Sequence, residues 1–298
     1  MRRMQVEGKP RWIRAKIPSG PLYNRVRHVL RSKGLSTVCE EALCPNVADC
    51  WGCGTATIML LGDVCTRSCR FCAVKAGNPM GFVDKTEPER VAMAVSELGL
   101  DYVVLTSVCR DDLQDGGAGI FADAVKAIKR TRPKARVEAL IPDFRGDRKA
   151  IEIVVHSKPD VIGHNLETVK RLTPVIRDRR ANYHLSLNVL KTIKELDNSI
   201  YTKSSLMLGL GESEQEIMEA MVGLRSVGVD ILTLGQYLRP TKRHAPVVEY
   251  VRPETFDRLR DVALSLGFKG VASAPLVRSS YMAAELFQKV LAGDSYGG

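Results

Sequence analysis

The chain has 298 residues, 45% of them hydrophobic, and a formal net charge of +10. That length and apolar content exclude a disordered chain and a coiled coil, and leave one large α/β domain or two small ones. The charge favours an acidic partner, whether nucleic acid, phosphate or an acidic protein surface, and is equally compatible with a basic surface that has no specific partner. The basic start at Met1, Arg2 and Arg3 has no apolar stretch behind it, and no run reaches about 18 apolar residues, so the expectation is a cytoplasmic protein without a membrane segment.

The first fifty residues are basic, contain no clear strand and hold Cys39, Cys44 and Cys50; they read as an extension lying against the rest of the fold. From residue 55 onward short apolar runs alternate with amphipathic segments, the rhythm of βα units and a parallel sheet. Strand candidates are residues 56–61, 102–108, 137–141, 161–163, 205–210 and 231–238, with 271–277 weaker. Between them Val91, Val95 and Leu98 recur at helical spacing, as do Phe121, Val125 and Ile128, then Ile217, Met221 and Leu224, then Phe256, Leu259, Ala263 and Leu266. Ser213 with Glu216 three residues later forms a capping box immediately after a strand candidate. About six βα units predict an α/β fold, a partial (β/α)6-type barrel of the TIM kind, whose reacting groups sit at the C-terminal ends of the strands. The expected parts are an N-terminal extension (1–54), the barrel (55–277) and a C-terminal segment (278–298) that returns as a helix and closes the barrel mouth.

Eight cysteines in a chain of this size, with enough apolar residues to fold without staples, point to metal ligation in a reducing compartment rather than to disulfides. Cys65, Cys69 and Cys72 fall within eight residues, directly after the first strand candidate. Three thiolates on one short loop hold three corners of a four-iron cluster and leave the fourth iron open to a small molecule. Cys39, Cys44 and Cys50 form a second, wider triplet without an obvious fourth cysteine, and Cys53 and Cys109 are left over. A rival reading takes Cys50 and Cys53, fifteen intervening residues, then Cys69 and Cys72 as a zinc ribbon binding nucleic acid. It leaves Cys39, Cys44 and Cys65 unexplained, makes a loop of what looks like a buried strand, and finds only 6% aromatic residues for stacking.

The spacing of Cys65, Cys69 and Cys72 resembles the radical S-adenosylmethionine signature that many families share. The upstream triplet and the run Arg278, Ser279, Ser280, Tyr281 resemble motifs particular to lipoyl synthases, and similar segments lie at residues 9–12, 106–117, 164–169, 237–241 and His244. The resemblance, which covers almost the whole chain, implies a partial barrel with two [4Fe-4S] clusters: one held by Cys65, Cys69 and Cys72 and binding S-adenosyl-L-methionine, the other held by Cys39, Cys44, Cys50 and Ser280, with Ser279 in reserve. It implies sulfur insertion at carbons 6 and 8 of a protein-bound octanoyl-lysine, the auxiliary cluster serving as sulfur donor. The octanoyl group would arrive on a dehydrogenase lipoyl domain or the glycine-cleavage carrier, and the electron from a ferredoxin or flavodoxin. No nucleic acid or membrane partner is implied.

Such a task fits radical chemistry, since no side-chain base ionises an unactivated methylene C–H bond at neutral pH. Thr106, Asn165 and Glu167, all at candidate strand ends, are expected to line the cofactor or substrate pocket, and Arg278 to pair with a cluster or cofactor carboxylate; ordinary loop hydrogen bonding is the competing role. Asp115, Gly116 and Gly117 are either a nucleoside cradle or a turn, and His164 and His244 either substrate contacts or structural groups. Cys109 departs from the polar residue expected before Arg110. A different sulfur-inserting radical enzyme, similar to biotin synthase, remains the nearest alternative, and the upstream triplet and serine motif argue against it.

Overall fold

The computed structural model describes residues 8–52 and 56–293. Cys53 and the expected boundary at residues 54 and 55 lie outside them. Helix α1 (Pro21–Ser32) begins on a proline, whose fixed φ suits the first helical position, and buries Val26, Val29 and Leu30. The extension then contains a strand that the sequence pattern had not revealed. This strand, β1 (Ser36–Thr37), pairs antiparallel with β2 (Thr57–Leu60), placing Thr37 opposite Ile58. Two residues are too few for any alternation to be read. The Thr37 hydroxyl caps α2 (Val38–Glu41) by accepting from the Glu40 N–H, and α3 (Val47–Gly52) completes the extension.

Beyond β2 the chain alternates as expected: α4 (Glu87–Leu98), β3 (Tyr102–Ser107), α5 (Ala118–Thr131), β4 (Arg136–Leu140), α6 (Arg148–His156), β5 (Val161–Gly163), the short α7 (Thr173–Ile176), α8 (Tyr183–Leu196), β6 (Tyr201–Leu208), α9 (Glu214–Ser226), β7 (Ile231–Gln236), α10 (Pro253–Ser265), β8 (Gly270–Ser273) and α11 (Ala283–Ala292). Strands β2 to β8 follow one another in spatial order and every neighbouring pair is parallel. Among the described residues β1 and β8 are the two ends of the sheet and do not pair, so the barrel is open. Strand β6 begins four residues before the expected 205, because Lys203 and Ser204 are buried polar residues that hide a strand from an apolar pattern.

Alternate strand residues face opposite sides. Val103 and Leu105 join the core under the helices, whereas Tyr102 and Val104 point into the barrel. The interior at the N-terminal ends of the strands is filled by α11, whose Ala283, Leu286, Phe287 and Val290 pack against Tyr102, Val161 and Ile231, each the first residue of its strand. Phe287 meets Tyr201 edge-on at a centroid distance of 5.3 Å. A Cβ at Gly270 would lie 2.4 Å from Val290, so the glycine makes room for the helix. The expected return of the terminal helix to the mouth is therefore corrected: residues 278–281 lie at the mouth, and α11 runs on to plug the opposite end. No helix among the described residues is long and apolar enough to cross a membrane.

Candidate cluster and cofactor site

The C-terminal ends of the strands open into a cavity of about 440 Å³. Cys65, Cys69 and Cys72 line it from the loop after β2, and Cys39, Cys44 and Cys50 from the extension. Thr106, Asn165, Glu167, Arg278, Ser279 and Ser280 line the same space. Cysteines separated by up to 33 residues in the chain thus share one compartment with a segment more than 200 residues away.

The first cysteine loop is held on every side by bonds the sequence does not announce. Arg67, between Cys65 and Cys69, is buried and binds two carboxylates in forked geometry: Asp111, after β3, at 2.8 Å from both Nε and Nη2, and Asp143, after β4, at 2.6 and 2.7 Å. On the far side the Asp178 carboxylate accepts from the Ser68 N–H at 3.0 Å, while the Asp178 N–H donates to the Cys69 sulfur at 3.2 Å. Arg180 secures Asp178 at 2.8 Å. Further along, the Arg70 N–H donates to the Ile176 carbonyl and the His244 ring meets the Cys72 carbonyl at 2.9 Å. His244 is not among the cavity-lining residues, and its bond to the Cys72 carbonyl makes it a support of the loop. Arg67, Asp143 and Asp178 were not singled out from sequence; their only signal is position just beyond strand or helix ends, and their pairing spans up to 110 residues.

The auxiliary loop is tied to the C-terminal motif. Asn46, between Cys44 and Cys50, donates from Nδ2 to the Leu276 carbonyl at 2.6 Å. Residue 277 then passes over β7, where a Cβ on Gly235 would stand 1.9 Å from the Val277 carbonyl oxygen. Only glycine lets the segment approach closely enough to bring Ser279 and Ser280 into the cavity.

Burial pushes the Cys39 and Cys69 thiols up to about 11 and Cys72 up to about 12, and raises Cys44 as well. Buried thiols of this kind ionise when a metal replaces the proton. Cys65 moves the other way, chiefly through a hydrogen bond from Cys109, which keeps its own proton. The leftover thiol is thus a neighbour of the first cysteine loop and lines the same cavity.

Glu167 sits at φ 70, unusual for a residue with a side chain, and its carboxyl is raised by burial, with Arg177 opposing. Asn165 Nδ2 donates to Glu167 at 3.2 Å, while Asn165 Oδ1 and the Ser107 hydroxyl are buried without a partner. Arg177 is buried beside them, bonded to the Ser186 hydroxyl at 2.8 Å and to no carboxylate within ion-pair distance among the described residues. Such unsatisfied groups, both signs present, suit a bound zwitterionic ligand. The Thr106 hydroxyl is already bonded to the Leu140 carbonyl at 3.1 Å. His164 lies in the wall, held by the Ile141 carbonyl and Ser186. Gly116 and Gly117 do not reach the cavity: Asp115 accepts from the Gly117 and Gly119 N–H groups, and the run is a helix-starting turn packed on Phe144 and Leu61.

Among the described residues no three His, Cys, Asp or Glu side chains converge on a point that would hold a single ion. The ribbon reading fails on separate grounds, because residues 57–60 form β2, buried and paired on both sides. Three thiols per loop facing one cavity fit cluster ligation.

The model of the radical SAM superfamily matches residues 59–222, and that of the N-terminal domain of lipoyl synthase matches residues 2–44. A lipoyl synthase from Anaeromyxobacter sp. (strain Fw109-5) is 58% identical over 94% of this chain and 95% of its own. The chain belongs to the lipoyl synthase family. A lipoyl synthase from Thermus thermophilus is 57% identical over 94% of this chain and 86% of its own, and the chloroplastic lipoyl synthase of Ricinus communis 54% over 95% and 79%. Among solved structures, HydG, a maturase of the [FeFe]-hydrogenase, shares the fold at a TM-score of 0.57 and 14% identity, covering 86% of this chain and 57% of that one. Methylornithine synthase (PylB) does so at 0.53 and 14%, covering 83% and 74%. As a lipoyl synthase the chain is a radical SAM sulfurtransferase that uses S-adenosyl-L-methionine and two [4Fe-4S] clusters.

Proposed function

We propose that Cys65, Cys69 and Cys72 hold the cluster that binds S-adenosyl-L-methionine, and that Cys39, Cys44, Cys50 and Ser280 hold the auxiliary one, for sulfur insertion at carbons 6 and 8 of an octanoyl-lysine. The observation that carries this reading is the opening of both triplets and the 278–281 segment into one cavity. When bound, the first cluster and S-adenosyl-L-methionine supply a radical able to take hydrogen from an unactivated C–H bond, and the auxiliary cluster supplies sulfide. The protein's own part is positional. Arg67 and Asp178 fix the first loop, Asn46 and Gly235 bring the serine motif opposite it, and Val38, Leu43, Phe71, Val74 and Met207 offer an alkyl chain an apolar wall. When the cofactor is bound, Glu167 and Asn165 would accept from its hydroxyls or amino group, and Arg177 and Arg278 would meet carboxylate. The substrate is carried on a dehydrogenase lipoyl domain or the glycine-cleavage carrier, with a ferredoxin or flavodoxin as reductant.

Oxygen-free reconstitution followed by iron, sulfide and zinc analysis tests the assignment. About eight irons and eight sulfides per chain are expected, falling to about four in a Cys39→Ala/Cys44→Ala variant. Retention of eight irons in that variant sinks the auxiliary site. An alkoxide is a harder, less well matched partner for this iron than a thiolate. Ser280→Cys should therefore keep its iron and lose turnover to lipoyl product; undiminished turnover would remove ligand lability as the reason for a serine.

A further inference from the structure

The cavity mouth is bordered on one side by cations that no carboxylate neutralises. Arg70, Arg179, Lys242 and Arg243 are exposed, and none has an ion-pair partner among the described residues. Most other arginines of this face are engaged: Arg67 with Asp111 and Asp143, Arg110 with Asp112, Arg180 with Asp111 and Asp178. The four free cations come from three loops that hydrogen bonds lock together. The Arg70 N–H donates to the Ile176 carbonyl, the Ala245 N–H to the Arg70 carbonyl, and Arg180 to the Thr66 carbonyl. The segments that carry residues 70, 179 and 242–243 are therefore joined to the first cysteine loop and set an arc of positive charge beside it, and Val175, which accepts from Arg70, is half exposed.

Apart from a 3.4 Å bond from the Arg70 guanidinium to the Val175 carbonyl, no side-chain hydrogen bond among the described residues ties these cations to the fold, and clustering like charges is costly through self-repulsion. None of the four lines the cavity itself, although their chain neighbours Cys69, Phe71 and Pro240 do. We infer that this arc docks an acidic face of the protein bearing the octanoyl-lysine, so that the acyl-lysine arm enters the cavity beside it. The inference rests on the function proposed above and adds to it where, and by what chemistry, the carrier is recognised. Rim charges of this kind act chiefly on association and salt dependence.

The test compares two substrates: an octanoylated dehydrogenase lipoyl domain and a short octanoyl-lysine peptide, each with the reconstituted enzyme. In an Arg179→Glu/Lys242→Glu/Arg243→Glu variant the KM for the domain should rise about tenfold or more, from a few-fold per exposed charge, while kcat and the peptide kinetics stay unchanged. An unchanged KM for the domain overturns the inference, and so does an equal loss on both substrates, which would place these residues in the chemistry. The unaltered enzyme gives a second reading that needs no folded variant: raising ionic strength should weaken use of the domain and not of the peptide, and insensitivity of both overturns the docking arc. Lack of lipoyl product from the unaltered enzyme with either substrate would instead count against the proposed function.

Discussion

Arg67 is the side chain on which the first cysteine loop turns. Only 4% of it is exposed, and its partner Asp143 is fully enclosed. Removing the cation leaves a buried carboxylate uncompensated, which costs about 3–5 kcal/mol. Arg67→Met should lower the unfolding free energy of the cluster-free protein, read from urea denaturation, by that amount and reduce iron uptake at the first site; an unaltered midpoint would show that solvent or another cation takes over. His164 gives a pH signature. Burial holds its pKa down at about 4, below the ordinary value of 6.5. The unfolded chain therefore binds more protons between those values, so stability is fully present above about pH 6.5 and is lost as pH falls toward 4, at about 1.4 kcal/mol per unit. Unfolding titrations of His164→Gln against the parent at pH 7 and pH 5 should show the difference shrinking at the lower pH. Both triplets of thiols line the cavity, and the grouping of these six was legible from spacing. The carboxylates that hold Arg67 were not, because ion pairing across 44 and 76 residues leaves no periodic trace.

At the scale of elements, local chemistry was read where it is local. The Ser213 and Glu216 box is present with both reciprocal bonds, and Ser213→Ala should cost about 1 kcal/mol, measurable by denaturation. The parallel strands fell close to expectation because fully buried strands form short apolar runs. Helices α6 and α8 bury Ile151, Val154, Val189 and Ile193 as any amphipathic helix would, and went unmarked because no strand candidate or motif drew attention to them. Gly235 belongs to this scale. Gly235→Ala forces the backbone at Val277 away from β7, so the serine motif shifts with it. The expected result is selective loss of the auxiliary cluster, about four irons, with the first cluster's S-adenosyl-L-methionine cleavage retained; full iron content would show that the segment accommodates the methyl group.

For the whole molecule the notable economy is that one C-terminal segment serves both ends of the barrel. Residues 278–281 face the cavity, and α11 fills the interior at the other end. Phe287→Ala, which empties a space between Tyr102 and Tyr201, should cost about 3–5 kcal/mol in equilibrium unfolding without changing the cysteine loops directly. If stability is untouched, α11 is not the plug described here. The amino-acid sequence by itself determined the class of fold and pointed to cluster-binding thiols, while the particular chemistry came from the resemblance of its motifs to a family: thiol spacing, turn chemistry and the alternation of apolar runs are properties of neighbouring residues, so they survive in one dimension. Only the tertiary structure decided which distant groups share the cavity, that the terminal helix plugs the N-terminal end of the barrel instead of covering the mouth, and that four unneutralised cations line up beside the cysteine loop. Those are facts of proximity, made by packing and charge pairing between segments that no sequence interval connects.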